Sequence, residues 1–336
     1  MRAVVTGGAG YVGACVVEEL RGSGHDVRVL DTLLHGQDEV AESLESAGTE
    51  LIRGDVRDGE ARRAALDGAD AVVHLAAIVG DPACALDPEL SREVNVEGSR
   101  ALANDAHALG VPRFVFASTC SNYGRMDDPT VPIDESGVLA PVSLYAEQKV
   151  GIEQALLDER RSGLEPTCLR FATVYGRAPR MRFDLTVNEF TRDLWAERRL
   201  EVFGERFWRP YVHARDAALA VRTVLEAPSE RTAGAVFNVG HSDENYRKLD
   251  LVEVITGVLG RGDVEYVSRD EDPRDYKVNF DKIHRELGFE PRHRVPDGVR
   301  DIVAGLEAED FGDPFAPDHS NLETAKQAAR PPAHDS

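Results

Sequence analysis

The stretch that most constrains this chain is its first: a short apolar strand, Arg2-Ala3-Val4-Val5, runs into Thr6-Gly7-Gly8-Ala9-Gly10-Tyr11-Val12-Gly13 and then a helical pattern from Ala14 to Leu20. The glycines read as Gly7-x-x-Gly10-x-x-Gly13 or as Gly8-x-Gly10-x-x-Gly13. The mechanics are the same in both registers. One glycine permits a tight turn, one lets backbone approach a diphosphate, and one packs the helix on the sheet, while amide N–H groups at the helix start face the anion.

The next apolar run, Asp26-Val27-Arg28-Val29-Leu30, ends in Asp31. A carboxylate at that strand end accepts hydrogen bonds from both ribose hydroxyls of an adenosine and repels a 2′-phosphate, so the pattern points to NAD rather than NADP. Glu50 to Val56 reads as a third strand leading to Asp55, and Ala71 to Ala77 as a fourth whose small Ala76 lets backbone lie close to a dinucleotide. Strands alternating with helices at this spacing imply right-handed crossovers, a parallel sheet, and a ligand at the carboxyl ends of the strands.

The chain has 336 residues, 42% of them hydrophobic, enough for a full core and for two lobes. Its net charge of −21 disfavours nucleic acid or an anionic membrane as the main partner. The first residues enter a strand directly and no apolar run is long enough to span a bilayer, so a cytoplasmic protein is expected. Cys15, Cys84, Cys120 and Cys168 lack metal-type spacing, so no metal is expected. His74, inside an apolar strand, reads as a satisfied core histidine.

A long helical pattern, Leu90 to Leu109, precedes a fifth strand, Arg113 to Ala117, which delivers Ser118-Thr119-Cys120-Ser121-Asn122-Tyr123-Gly124 at its carboxyl end. A helix from Ser143 to Arg161 then carries Tyr145 and Lys149, four apart and on one face. An ammonium beside a phenol favours the phenolate, which can take a hydroxyl proton while the same carbon gives hydride to a nicotinamide. Thr119, at the neighbouring strand end, is placed to hydrogen-bond that oxygen.

At this point the chain resembles the extended short-chain dehydrogenase/reductase family, specifically its nucleotide-sugar epimerases and dehydratases. The resemblance rests on Thr6 to Gly13, Gly54-Asp55-Val56, His74 to Ala77, Asn95 to Gly98, Ser118-Thr119 before Tyr123-Gly124, and Tyr145-x-x-x-Lys149. It continues through Leu169 to Phe171, Val174 to Gly176, Arg209 to His213 with Asp216, Phe237 to Gly240, and Arg285 to Pro291. It implies Thr119, Tyr145 and Lys149 as the catalytic set. Gly7, Gly10, Tyr11, Val12, Gly13, Asp31, Asp55, Val56, Ala76 and Lys149 would hold NAD. A nucleotide-diphosphate sugar is the implied substrate, with Arg209 and Arg274 on its diphosphate. For Arg274 a surface salt bridge is the competing explanation. The resemblance also implies a homodimer, with the helices Leu90 to Leu109 and Ser143 to Arg161 pairing with their copies as a four-helix bundle.

Two departures narrow the reaction. The family's 4,6-dehydratases carry Asp and Glu after the strand-end Thr, where this chain has Cys120 and Ser121, and the related decarboxylases keep the Glu. Cys120 is either an acid beside the sugar or a neutral bystander. Ala172-Thr173 replaces the usual Phe-Asn, which enlarges the pocket and puts Thr173 where the family's Asn meets substrate. A redox-neutral 4-epimerase working through a transient 4-keto sugar fits what remains. The alternatives are a 4-ketoreductase, an atypical dehydratase, or a non-catalytic NAD-sensing module.

The expected fold is a Rossmann-type doubly wound parallel sheet over residues 1–178, with 211–241 returning to it. A smaller, discontinuous α/β lobe for substrate would comprise 179–210 and 242–312, and 313–336 reads as a flexible tail. Within the smaller lobe, Asn188, Arg180 and Arg182 are either pocket groups for a diphosphate or ordinary loop and surface residues.

Overall fold

The computed structural model describes residues 1–126, 128–159, 163–267 and 274–328. Seven strands form the central sheet: β1 (Arg2–Thr6), β2 (Asp26–Asp31), β3 (Glu50–Arg53), β4 (Ala71–His74), β5 (Arg113–Thr119), β6 (Glu165–Phe171) and, much later in the chain, Ala235–Val239. Between these last two come β7 (Thr173–Tyr175), β8 (Leu200–Phe203) and β9 (Trp208–His213), so Ala235–Val239 is β10. The spatial order is β10-β6-β5-β4-β1-β2-β3 with every pair parallel. Reversal of direction in the order occurs between β1 and β4, which opens the crevice where such sheets bind ligands.

The strand sequences explain the layering. Ala3-Val4-Val5, Ala71-Val72-Val73 and Phe114-Val115-Phe116 are continuous apolar runs, and all nine residues are buried. A strand with no polar alternation must be covered on both faces, each buried Val or Phe contributing roughly 1.5–3 kcal/mol. Helices supply that cover. Tyr11–Gly22 packs through Val16, Val17 and Leu20 on the helix Ala214–Glu226. On the other face Leu102 and Ala106 of the helix Ser99–Ala108 meet Ile152 and Leu156 of the helix Leu144–Asp158.

Beyond β6 the chain builds two small sheets, β11 (Asn245–Arg247) with β9 and β7, and β12 (Val264–Val267) with β8. They pack with the helices Thr186–Trp195, Lys248–Leu259 and Val295–Glu307 around Phe190, Leu194, Ile255 and Val299.

Three local expectations change. The pattern from Leu90 to Leu109 is not one α-helix: Pro88–Arg92 passes through a wider π turn, Glu93–Gly98, into Ser99–Ala108. The helix expected over Ser143 to Arg161 runs from Leu144 to Asp158, Ser143 capping it by accepting from the Ala146 amide, and residues 160–162 lie outside the described residues. The stretch from 313 is not loose throughout. A turn at Pro317–His319 leads into a helix, Asn321–Ala328, that is tied to the body of the protein. Low apolar periodicity misleads here because polar anchors do the holding: the Asn321 amide donates to Asp184 Oδ2 (3.0 Å) and Thr324 Oγ1 pairs with His35 Nδ1 (2.6 Å). Among the described residues no helix is long and apolar enough to cross a membrane.

Candidate active site

A cleft of about 430 Å³ opens along the carboxyl edge of the sheet. Its floor is the glycine turn. Gly7 takes φ +71°, and a Cβ there would lie 2.8 Å from the Ala76 amide nitrogen; a Cβ on Gly13 would lie 2.0 Å from the Gly7 carbonyl oxygen. No side chain caps the helix that starts at Tyr11. Its first amides therefore face the cleft without competition, which is the chemistry an anionic diphosphate requires.

Asp31 ends β2 on the same edge. Its carboxylate accepts from the Ala9 amide through Oδ2 (2.9 Å) and from the Leu33 amide through Oδ1 (2.9 Å), so both oxygens are held in place with lone pairs to spare. Burial raises its pKa above the ordinary carboxylate value, partly offset by those amides. Asp55 lines the cleft with Val56 and is gripped by Arg57 (Nη2 to Oδ2, 2.7 Å).

Thr119, Tyr145 and Lys149 converge on the cleft from β5 and the helix Leu144–Asp158. Lys149 Nζ donates to the Ala117 carbonyl (2.7 Å) and lies 5.8 Å from the centre of the Tyr145 ring. Burial pulls the Lys149 pKa down to about 8. The expected lowering of the Tyr145 pKa is absent from the protein alone: burial of the ring dominates and raises it, with the Cys84 and Asp81 charges adding to the rise. A phenolate there needs a further positive charge close by.

Residues 3–240 match the family described as the NAD dependent epimerase/dehydratase family. The chain belongs to that family. Its cofactor is NAD. It is 30% identical over 311 residues to a UDP-glucose 4-epimerase of Corynebacterium glutamicum, covering 87% of this chain and 92% of that one. It is 32% identical over 312 residues to a dTDP-glucose 4,6-dehydratase of Streptomyces griseus, with coverage of 90% and 92%. Among solved structures it is similar to a dTDP-glucose 4,6-dehydratase from Streptomyces venezuelae with NAD and TYD bound. That match has a TM-score of 0.83 at 28% identity and covers 94% of this chain and 100% of the other.

Gly7, Gly10, Tyr11, Val12, Gly13, Asp31, Asp55, Val56, Ala76 and Lys149 all line one cleft, and Thr173 and Arg274 line it too. Arg274 also satisfies its competing reading, since Nη1 pairs with Asp81 Oδ2 at 3.0 Å. His74 is a core histidine: Nδ1 meets Thr6 Oγ1 (2.7 Å) and Nε2 meets Ser99 Oγ (2.8 Å).

Three expected substrate contacts do not reach the cleft. Cys120 is fully buried with Sγ 3.2 Å from the Arg170 carbonyl oxygen, because the turn after β5 points its first side chain into the core. Asn188, also fully buried, is a clasp: Oδ1 accepts from the Gly176 amide (2.8 Å), while Nδ2 donates to the Arg182 carbonyl (2.8 Å) and Tyr11 Oη (3.2 Å). Arg209 is buried over the ring of Tyr276, 5.3 Å from its centre, and donates to the Trp208 carbonyl; Tyr276 lines the cleft in its place.

Two further residues at or behind the cleft wall were given no role of their own by the sequence. Asp81 accepts from Ser143 Oγ (2.6 Å), the cap of the Tyr145 helix, and so links that helix to Arg274. Asn95, on the π turn, holds the Ile78 amide (2.8 Å) and Gln148 Oε1 (2.9 Å), fixing the loop after β4 beside Lys149. The sequence singled out Asp81 only through its strand-end loop and Asn95 only through the Asn95-to-Gly98 stretch of the family resemblance. Among the described residues no group of three potential ligands is arranged to hold a metal.

Proposed function

We propose that this protein is a redox-neutral 4-epimerase of nucleotide-diphosphate sugars. The observation that carries the reading is the state of the carboxylates that line the cleft among the described residues, Asp31, Asp55 and Asp81. Asp31 holds two backbone amides, Asp55 holds Arg57, and Asp81 holds Arg274 and Ser143. At the end of β5, Cys120 faces the core and Ser121 is no acid at neutral pH. Loss of water from a sugar needs one group to take a carbon-bound proton and another to protonate the leaving hydroxyl. Among the described residues no free pair for that work stands beside Tyr145, whereas exchange at a single carbinol needs only one base.

In this reading Tyr145 takes the proton from the sugar 4-hydroxyl and later returns it to the same oxygen, with Thr119 hydrogen-bonding that oxygen. Lys149 carries positive charge along the phenol and is itself oriented by the Ala117 carbonyl. When bound, NAD supplies a reversible hydride acceptor and a positive charge beside the phenol. The keto sugar must then present its opposite face, and Ala172 with Thr173 leaves space for that turn. Arg274 and the lining Tyr276 face the nucleotide diphosphate. Two copies pair through the helices Ser99–Ala108 and Leu144–Asp158, whose outward side carries Arg100, Asn104, Glu147 and Gln154; equilibrium sedimentation measures that step.

Incubation with UDP- and dTDP-hexoses in D2O, without added cofactor, tests the reading by NMR. The expected product is the 4-epimer with no deuterium on carbon. A 4-keto-6-deoxy product deuterated at C5 would make it a dehydratase, and a requirement for stoichiometric NADPH would make it a reductase.

A further inference from the structure

Loop 177–185 is pinned against the glycine turn by the Asn188 clasp and by Tyr11 Oη, which donates to the Gly176 carbonyl at 2.6 Å. That attachment turns two cations, Arg180 and Arg182, toward the cleft on the side of Asp31 and His35. Arg182 is neutralised by Asp184, with Nε to Oδ1 at 2.9 Å and Nη2 to Oδ2 at 3.0 Å. Arg180 is not: 93% of its surface is covered, since only 7% remains exposed, and it makes no salt bridge among the described residues. Its Nη1 donates to Asn321 Oδ1 (2.7 Å) and its Nη2 to the Asp318 carbonyl (3.2 Å), while Nε has no partner. A buried guanidinium held by neutral acceptors, with one donor unspent, is a site for an anion. Burial and the neighbouring Arg182 both lower its pKa, to about 10, against the pull of Asp184, Asp31 and Asp318.

Asn321 and Asp318 belong to the carboxyl-terminal segment, which runs along the cleft's edge between Asp184 and His35. His319 accepts from the Phe183 amide through its carbonyl (2.9 Å), its ring packs on Phe183, and Thr324 closes on His35. Asn321 itself lines the cleft.

We propose that residues 311–328 form a strap over the dinucleotide, in which Asn321 positions Arg180 as the counter-ion to the cofactor diphosphate, so that the strap sets how long NAD stays bound. The proposal rests on the reading of this cleft as the NAD site. A retained cofactor is what a redox-neutral cycle needs, because hydride leaves and returns without exchange.

The test uses the full chain stripped of nucleotide, titrated with NAD and with adenosine by calorimetry, and the NAD dissociation rate after dilution. Asn321→Ala and Arg180→Gln should each weaken NAD about tenfold, mostly through faster dissociation, and leave adenosine affinity within twofold. A chain ending at Asp310 should do the same. Equal NAD affinity and dissociation in wild type and both point variants overturns the strap, whatever the truncated chain does. Equal losses for NAD and adenosine overturn the diphosphate assignment, and failure of the wild type to bind NAD overturns the cleft reading instead.

Discussion

Lys149 gives its ammonium to the carbonyl oxygen of Ala117 at 2.7 Å, and that bond fastens the helix carrying Tyr145 to the strand ending in Thr119. The groups proposed to handle the proton are thereby fixed to the sheet rather than to a loop, which is the arrangement that holds reacting atoms within tenths of an ångström.

Tyr145→Phe removes the one oxygen proposed to take the hydroxyl proton and leaves the ring packing in place. Turnover should fall by about 10²–10⁴, the usual contribution of a positioned acid or base, with the melting temperature within a few degrees of wild type. Steady-state kinetics beside a thermal melt checks it. Activity within tenfold of wild type would refute the assignment.

Asp31→Ala should loosen NAD and relax discrimination against NADP. The carboxylate is held by the Ala9 and Leu33 amides with its remaining lone pairs toward the cleft. Its removal should delete both the ribose contacts proposed for it and the repulsion of a 2′-phosphate. We expect the ratio of NADP to NAD affinity to rise at least tenfold in parallel titrations.

Glu153→Leu should destabilise the fold by roughly 3–5 kcal/mol, the cost of leaving one member of a buried ion pair alone. Glu153 and Arg170 are paired and nearly inaccessible, with side-chain exposures of 1% and 5%. Ser118 Oγ donates to the same carboxylate at 2.6 Å, so the loss is felt next to Thr119. Urea unfolding measures it.

Acid should destabilise the protein through its buried neutral histidines. Burial lowers the pKa of His74 from 6.5 to about 3, and of His213 to about 4. In that interval the unfolded chain binds protons that the fold refuses, so the stability present above pH 6.5 is lost as pH falls toward 3. Each such group adds a slope of up to ~1.4 kcal/mol per pH unit. His74→Gln should remove one share of that slope, read from unfolding free energies at pH 4, 5 and 6. An unchanged slope would contradict the account of His74.

The sheet, the glycine cradle, Asp31 and the Tyr145–Lys149 pair were legible because each is local: contiguous residues, a strand end, or a four-residue helical repeat determine it. Even the neutral core role of His74 follows from its apolar strand. The direction in which loop side chains point is not local. Cys120, Asn188 and Arg209 have the right chemistry for a pocket, yet turns and packing spend them on the core, on a clasp and on an aromatic stack. Arg180 and Asn321 meet across 141 positions of sequence, so no spacing rule pairs them. Chain order thus determined the class of fold, the glycine turn and the pair proposed to handle the proton. Only tertiary packing decided which charges face the cleft and which distant segment borders it, because burial and hydrogen-bond satisfaction are settled between elements distant along the chain.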